Sequence, residues 1–291
     1  MTFLVTGATG NVGRLVVGRL LEAGERVRAL TRHPATASFP PGVEVVGADL
    51  TKPETLAGAL NGIDRMYLFP VAETAREVVR LAREAGVRRI VVLSSGAVTT
   101  GHDSDFHLPV ERAVEESGLD WTHVRPGEFM LNKLWLWGPS IREKRVVREP
   151  FPDSAWFPVH ERDIADVAVL ALRGEGHTGR AYTVNGPELI TRRAQVEHIS
   201  VALGQEVRLE VVSPQEARED YLRQGGFAAA NADFLLGFED YSGAESDPND
   251  QSETAQWTPA SLPAMPTAEE VTGRPARTFA EWARDHADDF R

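Results

Sequence analysis

Gly7-Ala8-Thr9-Gly10-Asn11-Val12-Gly13 places three glycines three residues apart, between an apolar run and an amphipathic one. Phe3-Leu4-Val5-Thr6 before it reads as a short buried strand, and Val12, Leu15, Val16, Leu20 and Leu21 recur at helical spacing after it. The glycines therefore occupy a strand-to-helix turn. The first N–H groups of a helix lack intrahelical acceptors and carry the positive end of its dipole, so a phosphate set against them gains hydrogen bonds and favourable charge. Glycine supplies the tight turn and removes the side chain that would hold a pyrophosphate off the backbone. The alternative is a glycine-rich turn that binds nothing; strand, turn and helix standing in the required order favour phosphate binding.

Outward from this turn, strands and helices alternate. Arg26–Arg32, Val43–Leu50, Met66–Phe69, Arg89–Ser94 and Trp121–Arg125 read as further strands. Helices are expected over Pro53–Leu60, Thr74–Ala85 (with Val78, Val79 and Leu81 inward) and Val110–Glu116. Such alternation predicts an α/β fold, a Rossmann-type doubly wound parallel sheet with helices on both faces. Ligands of such sheets bind beyond the carboxyl ends of the strands, where the strand order reverses.

Beyond Pro126 the pattern loosens into a strand at Trp156–His160, a helix at Asp163–Leu172 and a strand at Ala181–Val184. A helix at Arg192–Leu203, a strand at Glu206–Val211 and a helix at Pro214–Gly225 follow, and Phe279 and Trp282 are expected to dock the tail. The expected division is a nucleotide-binding domain over 1–150, to which about 156–185 return, and a smaller carboxyl-terminal α+β substrate-binding region over 186–291. Within that region, 243–266 is polar, acidic and Pro-containing and reads as a flexible loop.

The 291 residues carry a formal net charge of -12, which argues against a nucleic-acid surface. The chain has no cysteine, which excludes disulfides, thiolate chemistry and Cys-ligated metals. No apolar stretch approaches the roughly 18 residues of a membrane span, and the start shows no signal-peptide pattern, so a cytoplasmic protein without membrane contact is expected. His160, Glu161, Asp163 and Asp166 fit a helix start better than a metal site, and no metal is expected.

The second strand ends in Thr31-Arg32-His33, without a carboxylate. At this place an acidic side chain accepts from the ribose 2′-hydroxyl of NAD, whereas an arginine receives the 2′-phosphate of NADP. Arg32 therefore points to NADP(H) over NAD(H), the alternative being a solvated surface arginine. Asp49-Leu50 is positioned to meet the adenine, although Asp49 can equally cap its turn. Phe69-Pro70 is expected beside the ribose and pyrophosphate, and Ser94-Ser95 near the nicotinamide.

VTGATGNVGR, VRALTR, GADL, VVLSSGAV, HLPVERAVEESGLDWTHVRPGEFMLN and WFPVHERDIADVAVLAL together resemble the NmrA-like branch of the atypical short-chain dehydrogenases/reductases. The resemblance runs from Met1 to about Leu203 and weakly again through TGRPARTFAEWA. It implies a Rossmann domain with a small carboxyl-terminal substrate-binding part. Relatives of this branch include NADP-dependent quinone and dye reductases as well as NADP-sensing regulators.

The Tyr-x-x-x-Lys motif of the wider superfamily falls here on Asp103-Ser-Asp-Phe-His107, so the usual phenolic proton donor is absent. Tyr67, Tyr182, Tyr221 and Tyr241 lie elsewhere. His107 is a candidate proton donor, since histidine titrates near neutrality, or a cofactor contact. Pro126, Gly127 and Phe129 are expected over the nicotinamide. Phe129, Asn132, Trp135, Trp156 and His160, with Trp137 and Phe157, are expected to line a pocket for a flat substrate.

Two functions follow. One is hydride transfer from NADPH to a small, flat or aromatic electrophile such as a quinone, dye, imine or ketone, without the Tyr/Lys pair. The other is a non-catalytic NADP(H)-binding sensor. A homodimer and a regulatory protein partner both stay open.

Overall fold

The computed structural model describes residues 1–240, 243–248 and 266–291. The chain opens with β1 (Thr2–Val5), α1 (Gly13–Glu22), β2 (Arg26–Thr31) and β3 (Glu44–Gly47). It continues with α2 (Ala57–Leu60), β4 (Arg65–Leu68), α3 (Ala75–Glu84), β5 (Arg89–Leu93), α4 (Gly96–Thr99), α5 (Leu108–Glu115) and β6 (Asp120–Pro126). Next come α6 (Asn132–Leu136), α7 (Gly138–Lys144), β7 (Val146–Glu149), β8 (Ala155–Trp156), α8 (Glu161–Arg173) and β9 (Arg180–Val184). The remainder is β10 (Ile190–Thr191), α9 (Arg192–Leu203), β11 (Arg208–Val211), α10 (Pro214–Gln224), α11 (Gly226–Ala230), α12 (Ala232–Leu235), α13 (Ala268–Thr272) and α14 (Phe279–Asp285).

Two compact units result. The first comprises Met1–Gly127, Glu161–Val184 and Ala268–Pro275. It holds a parallel sheet of seven strands in the order β3-β2-β1-β4-β5-β6-β9. Successive strands run outward from β1 in one direction, then from β4 in the other, so the order reverses between β1 and β4. Period-2 alternation divides the strand residues between two faces. Leu4, Leu30, Met66, Leu68, Ile90 and Val92 pack with α2, α3 and α5, while α1 and α8 pack together on the sheet as well. On α3 the buried stripe is Ala75, Val78, Val79 and Ala82, with Leu81 only half-buried, because 3.6-residue periodicity carries the face to 82.

The returning helix α8 is anchored by two buried arginines that are register partners at the amino ends of β4 and β5. Arg65 donates to the carbonyls of Leu172 and Arg173, and Arg89 to those of Ala171 and Gly174. Both also bond Glu175. Carbonyls left orphaned at a helix end, where the dipole is negative, thus receive charged donors.

The second unit comprises Glu128–His160, Asn185–Thr267 and Ala276–Arg291. The first unit therefore ends at Gly127, earlier than the boundary at 150 expected from the sequence, and its return begins at Glu161. The reason is packing: β7 pairs in parallel with β11, and Met130, Leu136, Trp137 and Ile141 share a core with Val196, Ile199, Leu203 and Trp282. The strand expected over Trp156–His160 shortens to β8, paired with β10, plus an isolated bridge from Val159 to Phe129. Pro158 has no N–H to continue a ladder, and its carbonyl lies against Gly186, where a Cβ would approach within 1.8 Å. Phe279 and Trp282 are fully buried on α14, which a Thr278/Glu281 capping box starts.

Glu128 carries a buried charge network in this unit. Its carboxylate accepts from Lys133 at 2.6 Å and from Arg192 at 2.6 Å, and the Lys133 ammonium lies over the Trp137 ring. Of the expected loop over 243–266, residues 249–265 lie outside the described residues. Beside it, the Asp240 N–H donates to the Ala244 carbonyl and an isolated bridge joins Glu239 to Glu245.

Candidate functional site

The glycine turn stands where the strand order reverses. Buried Thr6 joins the two strand ends: its hydroxyl donates to the Tyr67 carbonyl at 2.9 Å and accepts from the Phe69 N–H at 2.7 Å. Gly7 has φ +58°, and a Cβ there would also meet Phe69 at 3.0 Å. Its carbonyl accepts from Gly10 N–H at 2.9 Å, which curls the turn. A Cβ on Gly13 would lie 2.2 Å from that same carbonyl oxygen, so only glycine fits.

Among the described residues, the N–H groups of Asn11, Val12 and Gly13 find no acceptor, and the first turn of α1 holds no acidic side chain. A turn too tight for side chains at Gly7 and Gly13, with these amides at a positive helix end, fits a pyrophosphate. Thr9 and Gly10 are exposed beside it, while the Val12 side chain is buried and contributes its backbone only. Sequence reasoning passed over Arg14. Its guanidinium donates to the carbonyls of Thr9 and Gly10, both at 3.2 Å, and adds positive charge to the turn.

At the end of β2, Arg32 is exposed. The Asp49 carboxylate accepts from the Thr51 amide at 3.0 Å and the Thr51 hydroxyl at 2.9 Å. These two bonds, with a smaller contribution from the Arg32 charge, hold it below its ordinary pKa. Of the two readings for Asp49, the turn cap is therefore the one its hydrogen bonds display. Buried Leu50 lines a small apolar hollow with Leu68, Phe69 and Val71, and Pro70 is buried next to it.

At the ends of β5 and β6, Ser94 is buried and its N–H donates to Val124. Ser95 caps α4 by accepting from Ala97 N–H at 3.2 Å. Gly96 lies against Pro126 and Gly127, where a Cβ would come within 3.3 Å of the Pro126 carbonyl. Gly127 in turn donates to Val184 on β9.

His107 immediately precedes α5, and its Nδ1 lies 2.5 Å from Oδ2 of Asp103. The other Asp103 oxygen accepts from the amides of Phe106 at 3.1 Å and His107 at 2.9 Å. Burial works to raise the Asp103 carboxyl, but the hydrogen bonds from His107 and Phe106 outweigh it and hold the pKa below the ordinary value. The helix behind His107 is tied to β6 by a two-pronged ion pair, Arg125 to buried Glu111 at 2.9 and 2.6 Å. Tyr67 is buried in β4, Tyr182 bonds His177, Tyr221 is buried in the second unit, and Tyr241 lies outside the described residues.

The remaining candidates belong to the second unit. Phe129 is half-buried against its core, Asn132 opens α6, and Trp135 lies 5.3 Å from Phe227. Trp156 is 37% exposed. His160 departs from the expectation: it is wholly buried, with Nε2 3.5 Å from the Asp285 carboxylate, and is an interior residue rather than a pocket wall. Trp137 is likewise core, under Lys133. Among the described residues Glu111, Glu115 and His123 come close enough together for a cation, but the paired Arg125 occupies the Glu111 carboxylate. No helix among them is long and apolar enough to cross a membrane.

The family model described as NAD(P)H-binding matches residues 7–175. The (4-alkanoyl-5-oxo-2,5-dihydrofuran-3-yl)methyl phosphate reductase of Streptomyces griseus subsp. griseus is 41% identical over 295 residues, covering 99% of this chain and 98% of that one. The NAD(P)H azoreductase of Xenophilus azovorans is 34% identical, covering 99% and 98%. The fold alone is shared with the Citrobacter sp. triphenylmethane reductase complexed with NADP(H), at a TM-score of 0.76 and 21% identity, covering 99% of this chain and all of that one. The chain belongs to the NAD(P)H-binding family that this model describes and is an NAD(P)H-dependent oxidoreductase.

Proposed function

We propose that the protein reduces a small, flat, conjugated electrophile with NADPH in preference to NADH. The observation that carries the reading is the glycine cradle at the strand-order reversal, with Arg32 and no carboxylate at the end of the adjacent β2. Asn11, Val12 and Gly13 would hold the pyrophosphate through their amides, Arg32 the 2′-phosphate, and Ser94, Ser95 and Gly127 the nicotinamide end. The bound dinucleotide supplies a hydride; the protein's part is to orient it, keep water out and deliver a proton. His107, in the place of the absent Tyr/Lys pair, is the proposed proton source.

Two relatives that act on different acceptors support this reading of the substrate class. One name prints an azo reduction, the other a 4-alkanoyl-5-oxo-2,5-dihydrofuran, a ring double bond conjugated to carbonyls. Both are conjugated π systems that can accept a hydride.

Calorimetric titration with NADPH and NADH, followed by quinones, azo and triphenylmethane dyes, cyclic imines and unsaturated lactones added to the complex, tests the reading. NADPH-selective binding with oxidation by one acceptor class supports it. Equal binding of both cofactors removes the role of Arg32. Binding without oxidation by any acceptor favours the sensor, for which the missing Tyr/Lys pair speaks.

A further inference from the structure

We infer that Asp103 is a positioning residue, fixing His107 in the one tautomer and orientation that leaves Nε2 as the working atom. The inference rests on the proposed role of His107 and adds to it the group that makes the role possible.

The geometry is specific. Asp103 spends one oxygen on the His107 ring, at 2.5 Å from Nδ1, and the other on the amides of Phe106 and His107. An ionised carboxylate only accepts, so Nδ1 must carry the hydrogen. Neutral His107 is then the Nδ1–H tautomer, with its lone pair on Nε2. Protonated His107 carries the extra proton on Nε2, for which, unlike Nδ1, no hydrogen bond is found among the described residues.

The backbone bonds hold the loop against which the ring is braced, and the Phe106 ring packs edge-on to the imidazole at 4.7 Å. The His107 side chain is 20% exposed and that of Asp103 10%, so the carboxylate sits behind the ring and away from solvent. When the acceptor has taken hydride and bears a negative oxygen or nitrogen, the Nε2–H bond breaks and an O–H or N–H bond forms on the product. His107 is left as the neutral Nδ1–H tautomer, still bonded to Asp103, and water returns the proton. A carboxylate in this place disfavours the wrong tautomer.

The Asp103→Asn variant separates positioning from scaffolding. The amide oxygen still accepts from the Phe106 and His107 backbone, but its NH2 presents a donor to Nδ1 and reverses the demand. Nitrogen-15 NMR of the histidine rings reads the tautomer in the intact protein without turnover. The wild type should show neutral His107 protonated on Nδ1, and the Asn variant on Nε2, with kcat down about tenfold or more and KM for NADPH unchanged. A wild-type His107 protonated on Nε2 overturns the inference whatever the variant does, as does an Asn variant with wild-type kcat in a protein whose His107→Ala variant is impaired. If instead His107→Ala turns over normally while the tautomer is as stated, the proton-donor reading fails and the orienting role of Asp103 stands.

Discussion

The carbonyl oxygen of Gly7 occupies the space a side chain on Gly13 would need, 2.2 Å from the Cβ position. The two glycines are thereby one device: the left-handed Gly7 turns its carbonyl inward, and Gly13 lets α1 begin beneath it. Gly13→Ala should reduce NAD(P)H affinity at least tenfold in calorimetry and lower stability. Gly18→Ala, on the same helix with nothing within 4 Å of its Cβ position, should leave binding unchanged and raise stability by about 1 kcal/mol.

Arg32→Ala should weaken NADPH by about 1.5–3 kcal/mol and leave NADH nearly untouched, because it removes the proposed charge-assisted bond to a group only NADPH has. Titration of both cofactors against the variant and the wild type checks this. Arg14→Ala, which removes charge from the glycine turn instead, should weaken both cofactors together.

Arg89 is 3% exposed and ends on two carbonyls of the α8 terminus and on Glu175. Arg89→Ala should cost about 3 kcal/mol in urea unfolding, since it leaves the Ala171 and Gly174 carbonyls at the helix end without their charged donor.

The Glu128 carboxyl is opposed by burial but pulled from 4.5 down to about 2 by Arg192 and Lys133. Between those values the unfolded chain binds the proton and the folded one does not, so stability rises with pH across that window. The contribution is complete above pH 4.5 and lost as pH falls towards 2. Glu128→Gln should flatten this acid limb of the stability curve and destabilise the protein by about 3 kcal/mol near neutrality. Thermal unfolding at a series of pH values measures both.

The parallel sheet and its glycine turn are legible in the chain because apolar runs, helical periodicity and turn residues agree there. Arg32 is legible for the same reason, since its place at the end of β2 follows once the strands are assigned. The boundary at Gly127 is not: β7 is a four-residue strand between charged segments, and its partner β11 lies some sixty residues on. Arg14 reads as an ordinary surface residue on α1 until the turn is folded and its guanidinium meets the Thr9 and Gly10 carbonyls. The Asp103 and His107 pairing had a signal, an i, i+4 spacing just ahead of a helix opened by Pro109, but the hydrogen bond depends on a loop whose course periodicity does not describe. His160 misled because its burial depends on Asp285 and the tail helix, far away in sequence.

The most direct test of the account is a single-turnover experiment, mixing the NADPH complex with each conjugated acceptor and following the dihydronicotinamide absorbance. At least one acceptor class should give a decay whose amplitude matches the bound NADPH and which disappears in Gly13→Ala. Saturating NADPH binding with no decay against quinones, azo and triphenylmethane dyes, imines and unsaturated lactones would contradict it.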